Sequence, residues 1–206
     1  VTLGSVLMIG IYLFAMQVYP EFWVALRFAL FNTVSIATST GFASTDFNLW
    51  PVFAPLWMLF LSGFVSCSGS TGGGMKMVRA QLLFRQGRRE LARLIHPSAR
   101  LPVKLGGQVV SNTIIYAVLA FAFLYVFAII LMTLVMVASG LEPITAFSAV
   151  IASINNTGPG LNEVGPATTY ASLTDFQTWV CIVAMLLGRL ELLTVMVVFT
   201  RAFWRA

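Results

Sequence analysis

Two short runs of polar residues end on glycine: Thr38, Ser39, Thr40 and Gly41, and Asn155, Asn156, Thr157 and Gly158. Neither contains a charged side chain, so neither offers the carboxylates expected of a tight divalent-cation site. What both offer is backbone. Glycine adopts positive φ without a Cβ clash, so Gly41 and Gly158 permit successive carbonyls to face the same way. Carbonyl oxygens converging on one axis can replace the hydration shell of a monovalent cation. Each run follows a short apolar stretch, and a helix there would turn the negative end of its dipole toward such an ion. As plain turns between helices the same residues would bind nothing. The two cases differ by depth, because irregular backbone inside a bilayer is tolerated only where it is buried in protein or lines a watery cavity. Asn155-Asn156-Thr157 also matches the glycosylation sequon, an accidental match if the loop lies in a pore.

A second set of residues concerns control of such a path. Gly69, Gly72, Gly73 and Gly74 put four glycines into six residues, just before Lys76. At roughly 1 kcal/mol of helix destabilisation per Gly relative to Ala, this segment breaks any helix running through it. A Walker loop needs Lys directly after its last Gly, then Ser or Thr; here Met75 intervenes and Val78 follows Met77, so a nucleotide site is a poor fit. A broken helix in a transporter marks a mobile or ligand-facing element. The alternative is a close helix-packing site made of small residues. Arg189 falls within an apolar run, where an arginine at the helix centre costs at least about 2.5 kcal/mol and usually faces a watery path. Glu191, two positions on, lies on a different helix face. Arg189 is therefore expected to act as a charge in the path, as a structural arginine on loop carbonyls, or as both.

The elements that must position these residues follow from composition. Of 206 residues, 59% are hydrophobic and 9% charged, against roughly 45–50% and about 25% in soluble domains. Twelve Lys and Arg with seven Asp and Glu cannot coat a water-soluble surface of this size, and disorder is excluded by the same hydrophobicity. Cys67 and Cys181 both sit in apolar stretches and read as small hydrophobes. The chain opens at Val1 already inside an apolar run with no basic region before it, which points to a piece of a longer membrane protein or a processed one and not to a signal peptide.

Six apolar stretches alternate long and short: residues 1–19, 22–38, 49–67, 109–139, 143–154 and 171–200. The short ones fall below the roughly 20 residues a crossing needs and suit re-entrant segments. Charge supports that division. Lys76, Arg79, Arg85, Arg88, Arg89, Arg93, Arg100 and Lys104 form one central block, and Arg201 and Arg205 close the chain, whereas Glu21, Asp46, Glu142, Glu163 and Asp175 flank the short stretches. If neither short stretch crosses, every basic block faces the cytoplasm and every acidic flank faces out, as the positive-inside rule requires. The expected fold is an all-α membrane protein in which span, re-entrant pore helix and span occur twice: residues 1–95, a cytoplasmic linker at 96–107 ended on its helix side by His96, then residues 108–206. Sliding the second half back so that Thr157 falls on Thr40 also superposes Gly158 on Gly41 and Ala146 on Ala29, with apolar Phe147 and Ile151 on Leu30 and Val34. That coincidence reads as an internal repeat.

Three runs in order, NTVSIATSTGF (32–42), GSTGGGMK (69–76) and GRLELLT (188–194), make the chain resemble the Trk and Ktr superfamily of potassium transporters, most closely its TrkH branch. The resemblance extends over essentially the whole chain. It implies four pore repeats around a pseudo-fourfold axis, of which this chain resembles the third and fourth. It further implies K+ as the transported ion, with no organic cofactor. The filter would be lined by Thr38, Ser39, Thr40 and Gly41 together with Asn155, Asn156, Thr157 and Gly158, the gate formed by Gly69, Gly72, Gly73, Gly74 and Lys76, and Arg189 would form a barrier below the filter. Each loop keeps one central Gly where tetrameric channels carry TVGYG, which implies fewer ordered sites and looser discrimination of potassium from sodium. A multi-pass protein of the bacterial inner membrane is implied, as a homodimer, docking a cytoplasmic nucleotide-binding regulatory subunit of the TrkA type on its basic face, without nucleic acid.

The competing functions are a Na+- or H+-coupled symporter of the same superfamily and a non-transport membrane subunit. An intramembrane enzyme would need a base beside its nucleophile. The one His lies among arginines at the cytoplasmic end, so no enzyme is expected.

Overall fold

The computed structural model describes residues 1–66, 73–96, 99 and 101–190. Cys67, Gly69, Gly72, Glu191, Arg100, Arg201 and Arg205 lie outside them. Seven α-helices follow one another among the described residues: α1 (Thr2–Ala15), α2 (Phe22–Ala37), α3 (Phe53–Phe64), α4 (Met77–Ile95), α5 (Asn112–Ala138), α6 (Pro143–Ile154) and α7 (Asp175–Arg189).

The first three helices share one apolar core. Ile9 and Leu13 of α1 pack with Ala25, Ala29 and Ile36 of α2 and with Met58 of α3. Ala25 and Ala29 are fully buried, and their small side chains let α1 and α2 approach closely, the usual way membrane helices pack. Helices α5, α6 and α7 form the second group, through Met136 on α5, Ala146, Ala149 and Val150 on α6 and Cys181 on α7.

Helix α5 is apolar on every side and has 27 residues, roughly 40 Å at 1.5 Å per residue. It is the helix among the described residues that is long and apolar enough to cross a bilayer. Phe123 (69% exposed) and Leu134 (61%) project from it into the surroundings. Helix α6, with 12 residues, reaches only roughly 18 Å and cannot span 30 Å of hydrocarbon. Its start is fixed by Glu142, which accepts from the backbone N–H of Thr145, with Pro143 at the first turn, a position where proline costs no hydrogen bond. Thr174 and Gln177 start α7 with a reciprocal capping box that satisfies two otherwise orphaned N–H groups.

Helix α4 is of another kind, polar with one apolar face. Leu82 is buried against Val103 and Ile115. The buried Arg89 donates to Asn112 Oδ1 at 3.1 Å, and the guanidinium of Arg79 lies 4.1 Å from the centre of the Phe121 ring. These contacts fasten the basic helix to the start of α5. His96 caps α4 after Ile95, as the following proline requires.

Two expectations need adjustment. The apolar runs 1–19 and 49–67 are regular helix only over Thr2–Ala15 and Phe53–Phe64. Asp46 turns residues Phe47–Leu49 into a short 3-10 turn, and Pro51 follows. Arg189 is the last residue of α7, not its middle; there its charge complements the negative end of the helix dipole. Where the linker meets the following segment, Lys104–Leu105 (β1) pairs antiparallel with Gln108–Val109 (β2) across Gly106 and Gly107, both at positive φ, as a two-residue hairpin turn demands.

Candidate functional site

Helices α2 and α6 end in the same way. Ser39 donates its N–H to Ile36 O (3.1 Å) and Thr40 to Ser35 O (2.8 Å); Asn156 donates to Ser153 O (3.0 Å) and Thr157 to Ala152 O (2.9 Å). This is the Schellman pattern, which needs a residue in the left-handed region just past the helix. Ser39 (φ 56°) and Asn156 (φ 54°) supply it, and two residues further Gly41 (φ 83°) and Gly158 (φ 104°) return to positive φ. The two runs therefore trace one backbone path at matching positions. Their N–H groups turn back onto the helices, which leaves the loop carbonyls to other partners.

The loops also meet. A Cβ placed on Gly41 would overlap the carbonyl oxygen of Thr157, so the first loop rests on the second. Their surroundings differ, however. Thr38 and Thr40 are exposed and Ser39 and Gly41 half-buried, whereas Asn155 and Thr157 are buried. The hydroxyls of Ser39 and Thr157 are buried without a protein partner, which makes them oxygen donors available beside the loop carbonyls. Among the described residues no three His, Cys, Asp or Glu side chains are placed to hold a metal ion together, and the loops themselves offer oxygen from amides and hydroxyls. A cavity of ≈ 540 Å³ flanks the first loop, lined by Arg27, Leu30, Phe31, Val34, Thr38 and Phe42.

Asn155 behaves differently from its neighbours. Its side chain, 1% exposed, accepts from the Tyr125 hydroxyl at 2.7 Å and donates to Ser62 Oγ at 2.9 Å. Both polar atoms of its side-chain amide are thereby engaged within the protein. Asn156 Nδ2 donates to Met185 O at 3.3 Å on α7.

Of the glycine-rich segment, Gly73, Gly74 and Lys76 are described. Gly73 lies against the end of α6: a Cβ there would sit 2.7 Å from Ile154 O and 2.9 Å from Asn155 O. Gly74, at φ 83°, faces Gly63 O and Asn155 Oδ1, and Met75 N–H donates to Gly63 O at 2.8 Å. Lys76 precedes α4 at φ 63° and ψ 141°, a conformation L-residues rarely hold and one that stores about 1–3 kcal/mol of strain. Gly73 and Gly74 thus pack against the junction of α6 and the second loop.

Gly188 is the α7 residue that permits the remaining contact, because any Cβ there would strike the Ile154 carbonyl oxygen. Arg189 follows it, so the arginine enters where α7 closes on the last carbonyl of α6. Gly73 and Gly188 thus both abut the end of α6, while the first loop, at the end of α2, meets the second through Gly41; Gly69 and Gly72 lie outside the described residues.

Sequence reasoning missed Ser62, Gly63, Tyr125 and Tyr170. A hydroxyl inside an apolar span such as α5 must find a partner, and that signal could have singled out Tyr125. Tyr170, whose hydroxyl donates to Gly158 O at 2.8 Å, opens a short 3-10 turn, Tyr170–Ser172, and gave no such signal.

The model of the TrkH family, described as cation transport protein, matches residues 17–205. Proteins named Trk system potassium uptake protein TrkH are similar to the chain: that of Halomonas elongata is 49% identical over 181 residues, covering 87% of this chain and 37% of the relative. That of Vibrio parahaemolyticus is 46% identical over 178 residues, covering 86% and 36%, and that of Escherichia coli K12 is 42% identical over 190 residues, covering 92% and 39%. The crystal structure of the potassium transporter TrkH from Vibrio parahaemolyticus matches with a TM-score of 0.91 at 42% identity, over 98% of this chain and 43% of that one. The chain spans well under half the length of each of these relatives.

Proposed function

The chain belongs to the TrkH family of cation transport proteins, and from that premise we propose that it forms part of a potassium uptake pathway, a channel-like pore through the bacterial inner membrane. The observation that carries this is the pairing of two loops with one backbone path, left-handed at Ser39 and Asn156 and again at Gly41 and Gly158. Both follow helices too short to cross and rest against each other.

In this reading each loop supplies one quarter of a filter. The carbonyls of Ser39, Thr40 and Gly41 and of Asn156, Thr157 and Gly158, with the hydroxyls of Ser39 and Thr157, replace water around a dehydrated K+. Thr38 and Asn155 set the loops at the helix ends, Asn155 through its side chain. The C-termini of α2 and α6 add the negative end of their dipoles. Residues 1–95 and 108–206 form two pore units joined by the linker at 96–107, and further units come from sequence beyond this chain. The glycine-rich segment with Lys76 acts as the gate beneath the second loop, and Arg189 acts as a positive barrier that a departing cation must pass. The basic face of α4 lies toward the cytoplasm, where a regulatory subunit of the TrkA type docks, and two copies form a dimer. Relatives named for transport support a transporter over an enzyme.

The test is rubidium or potassium flux into proteoliposomes holding the full-length protein of which this sequence is part. Flux against an impermeant control is expected. A correctly folded protein that passes no monovalent cation would overturn the proposal.

A further inference from the structure

The second loop is held at both ends by tyrosine hydroxyls, and nothing in its sequence resemblance to the first loop requires this. At the inner end the hydrogen-bond chain has a single consistent direction. Ser62 Oγ donates its one proton to Leu59 O at 2.6 Å, so it accepts from Asn155 Nδ2 at 2.9 Å. The remaining carbonyl of that amide, Oδ1, then takes the Tyr125 proton at 2.7 Å. Tyr125, Asn155 and Ser62 are 6%, 1% and 0% exposed, so no water competes for these bonds, and a buried acceptor deprived of its donor stays unsatisfied. At the outer end Tyr170 donates to Gly158 O at 2.8 Å. This bond fixes the carbonyl of Gly158, a glycine at φ 104° with nothing within 4 Å of a built Cβ.

Among the described residues the first loop has no matching arrangement. Thr38 stands where Asn155 stands in the second, and its hydroxyl bonds to Val34 O at 2.7 Å and to Thr40 Oγ1 at 2.9 Å, both within its own helix end and loop. Two loops of one backbone shape are therefore held differently: the first by local bonds and by leaning on Thr157, the second by side chains from α3, α5 and the loop before α7.

We propose that Tyr125 and Tyr170 are positioning residues that set discrimination between potassium and sodium by fixing the carbonyls of Asn156, Thr157 and Gly158. This rests on the filter reading of the loops. Neither tyrosine touches the ion. A cage whose carbonyls are free to move inward accommodates a smaller ion, so loss of either hydroxyl favours sodium while leaving the path open.

The experiment compares rubidium and sodium flux in proteoliposomes for the full-length protein and for Tyr125→Phe, Tyr170→Phe and, as a control on the exposed face of α5, Tyr116→Phe. Each loop-bracing variant is expected to lower the rubidium-to-sodium ratio by about two- to tenfold, the range that the net worth of one hydrogen bond corresponds to, with Tyr116→Phe unchanged. A purely structural role would lower reconstituted amount and leave the ratio alone. If Tyr125→Phe fails to reconstitute, Tyr170→Phe decides, because its hydroxyl lies in a loop outside the spans. An unchanged ratio in conducting Tyr170→Phe protein overturns the proposal while the transport function stands. Absence of rubidium flux in the unsubstituted protein overturns both.

Discussion

Gly41 faces the carbonyl oxygen of Thr157 so closely that a methyl group on its α-carbon would overlap that oxygen. The two polar loops, more than a hundred residues apart in sequence, are thereby in backbone contact, and glycine is required there for two reasons at once. Its φ of 83° disfavours any L-side chain, and its neighbour leaves no room for one. Gly158, at φ 104°, has nothing within 4 Å of a built Cβ and meets only the first restriction.

Gly41→Ala is therefore expected to be more damaging than Gly158→Ala. The latter costs about 1–3 kcal/mol of backbone strain, while the former must also push the loops apart. Rubidium uptake and thermal stability of the purified full-length variants, measured side by side, check the order. Equal losses would show that contact with Thr157 does not matter.

Neighbouring positions on α7 should respond in opposite ways. Gly188→Ala drives a methyl group into the Ile154 carbonyl, a backbone atom that no rotamer change can move. The end of α7 must then leave α6, and both stability and uptake fall. Arg189→Ala removes the proposed barrier and is expected to raise potassium flux at unchanged protein amount. Unchanged flux in well-folded Arg189→Ala protein would remove the arginine from the ion path.

Acid should loosen the outer end of α6. Asn162 Nδ2, at 2.6 Å, and the Thr145 hydroxyl, at 2.9 Å, donate to Glu142 and hold its carboxyl below the usual carboxylate range, Asn162 contributing most. Since the folded-state pKa is depressed, the stabilisation is present above the unfolded carboxylate value and is lost as pH falls through the lowered one. The same Asn162 also ties back to the turn before α3, its backbone N–H donating to Asn48 Oδ1 at 2.9 Å. Melting temperature followed as a function of pH should drop more steeply in acid for the parent than for Glu142→Gln. Parallel curves would exclude Glu142 as the titrating group.

Attachment of the basic helix depends on a small apolar contact. Leu82 is 3% exposed between Val103 and Ile115, so Leu82→Ala should cost about 2–5 kcal/mol. Leu91, 64% exposed on the same helix, should tolerate alanine within about 0.5 kcal/mol. Thermal unfolding in detergent distinguishes the two, and equal stability would mean that α4 is held by Arg89 and Arg79 instead.

Composition and pattern alone established the solvent, the helical class and the location of the polar loops. Too few charges, sorted into basic and acidic blocks, require a bilayer; glycines after short apolar stretches mark helix ends; both are local properties of the chain. His96 as a helix end was legible for the same reason, since the proline after it disfavours helix. Other features depend on which elements become neighbours. Arg189 read as a charge within an apolar run, and only the fold puts it in the last turn of α7, next to the Gly188 that meets the Ile154 carbonyl. Asn155 read as equivalent to its loop neighbours until folding brought Tyr125 and Ser62 within hydrogen-bond distance of its amide. A buried amide in a bilayer takes the partners its surroundings supply, and those come from helices distant in sequence. One loop motif, repeated along the chain, therefore became two differently supported structures once the helices had packed.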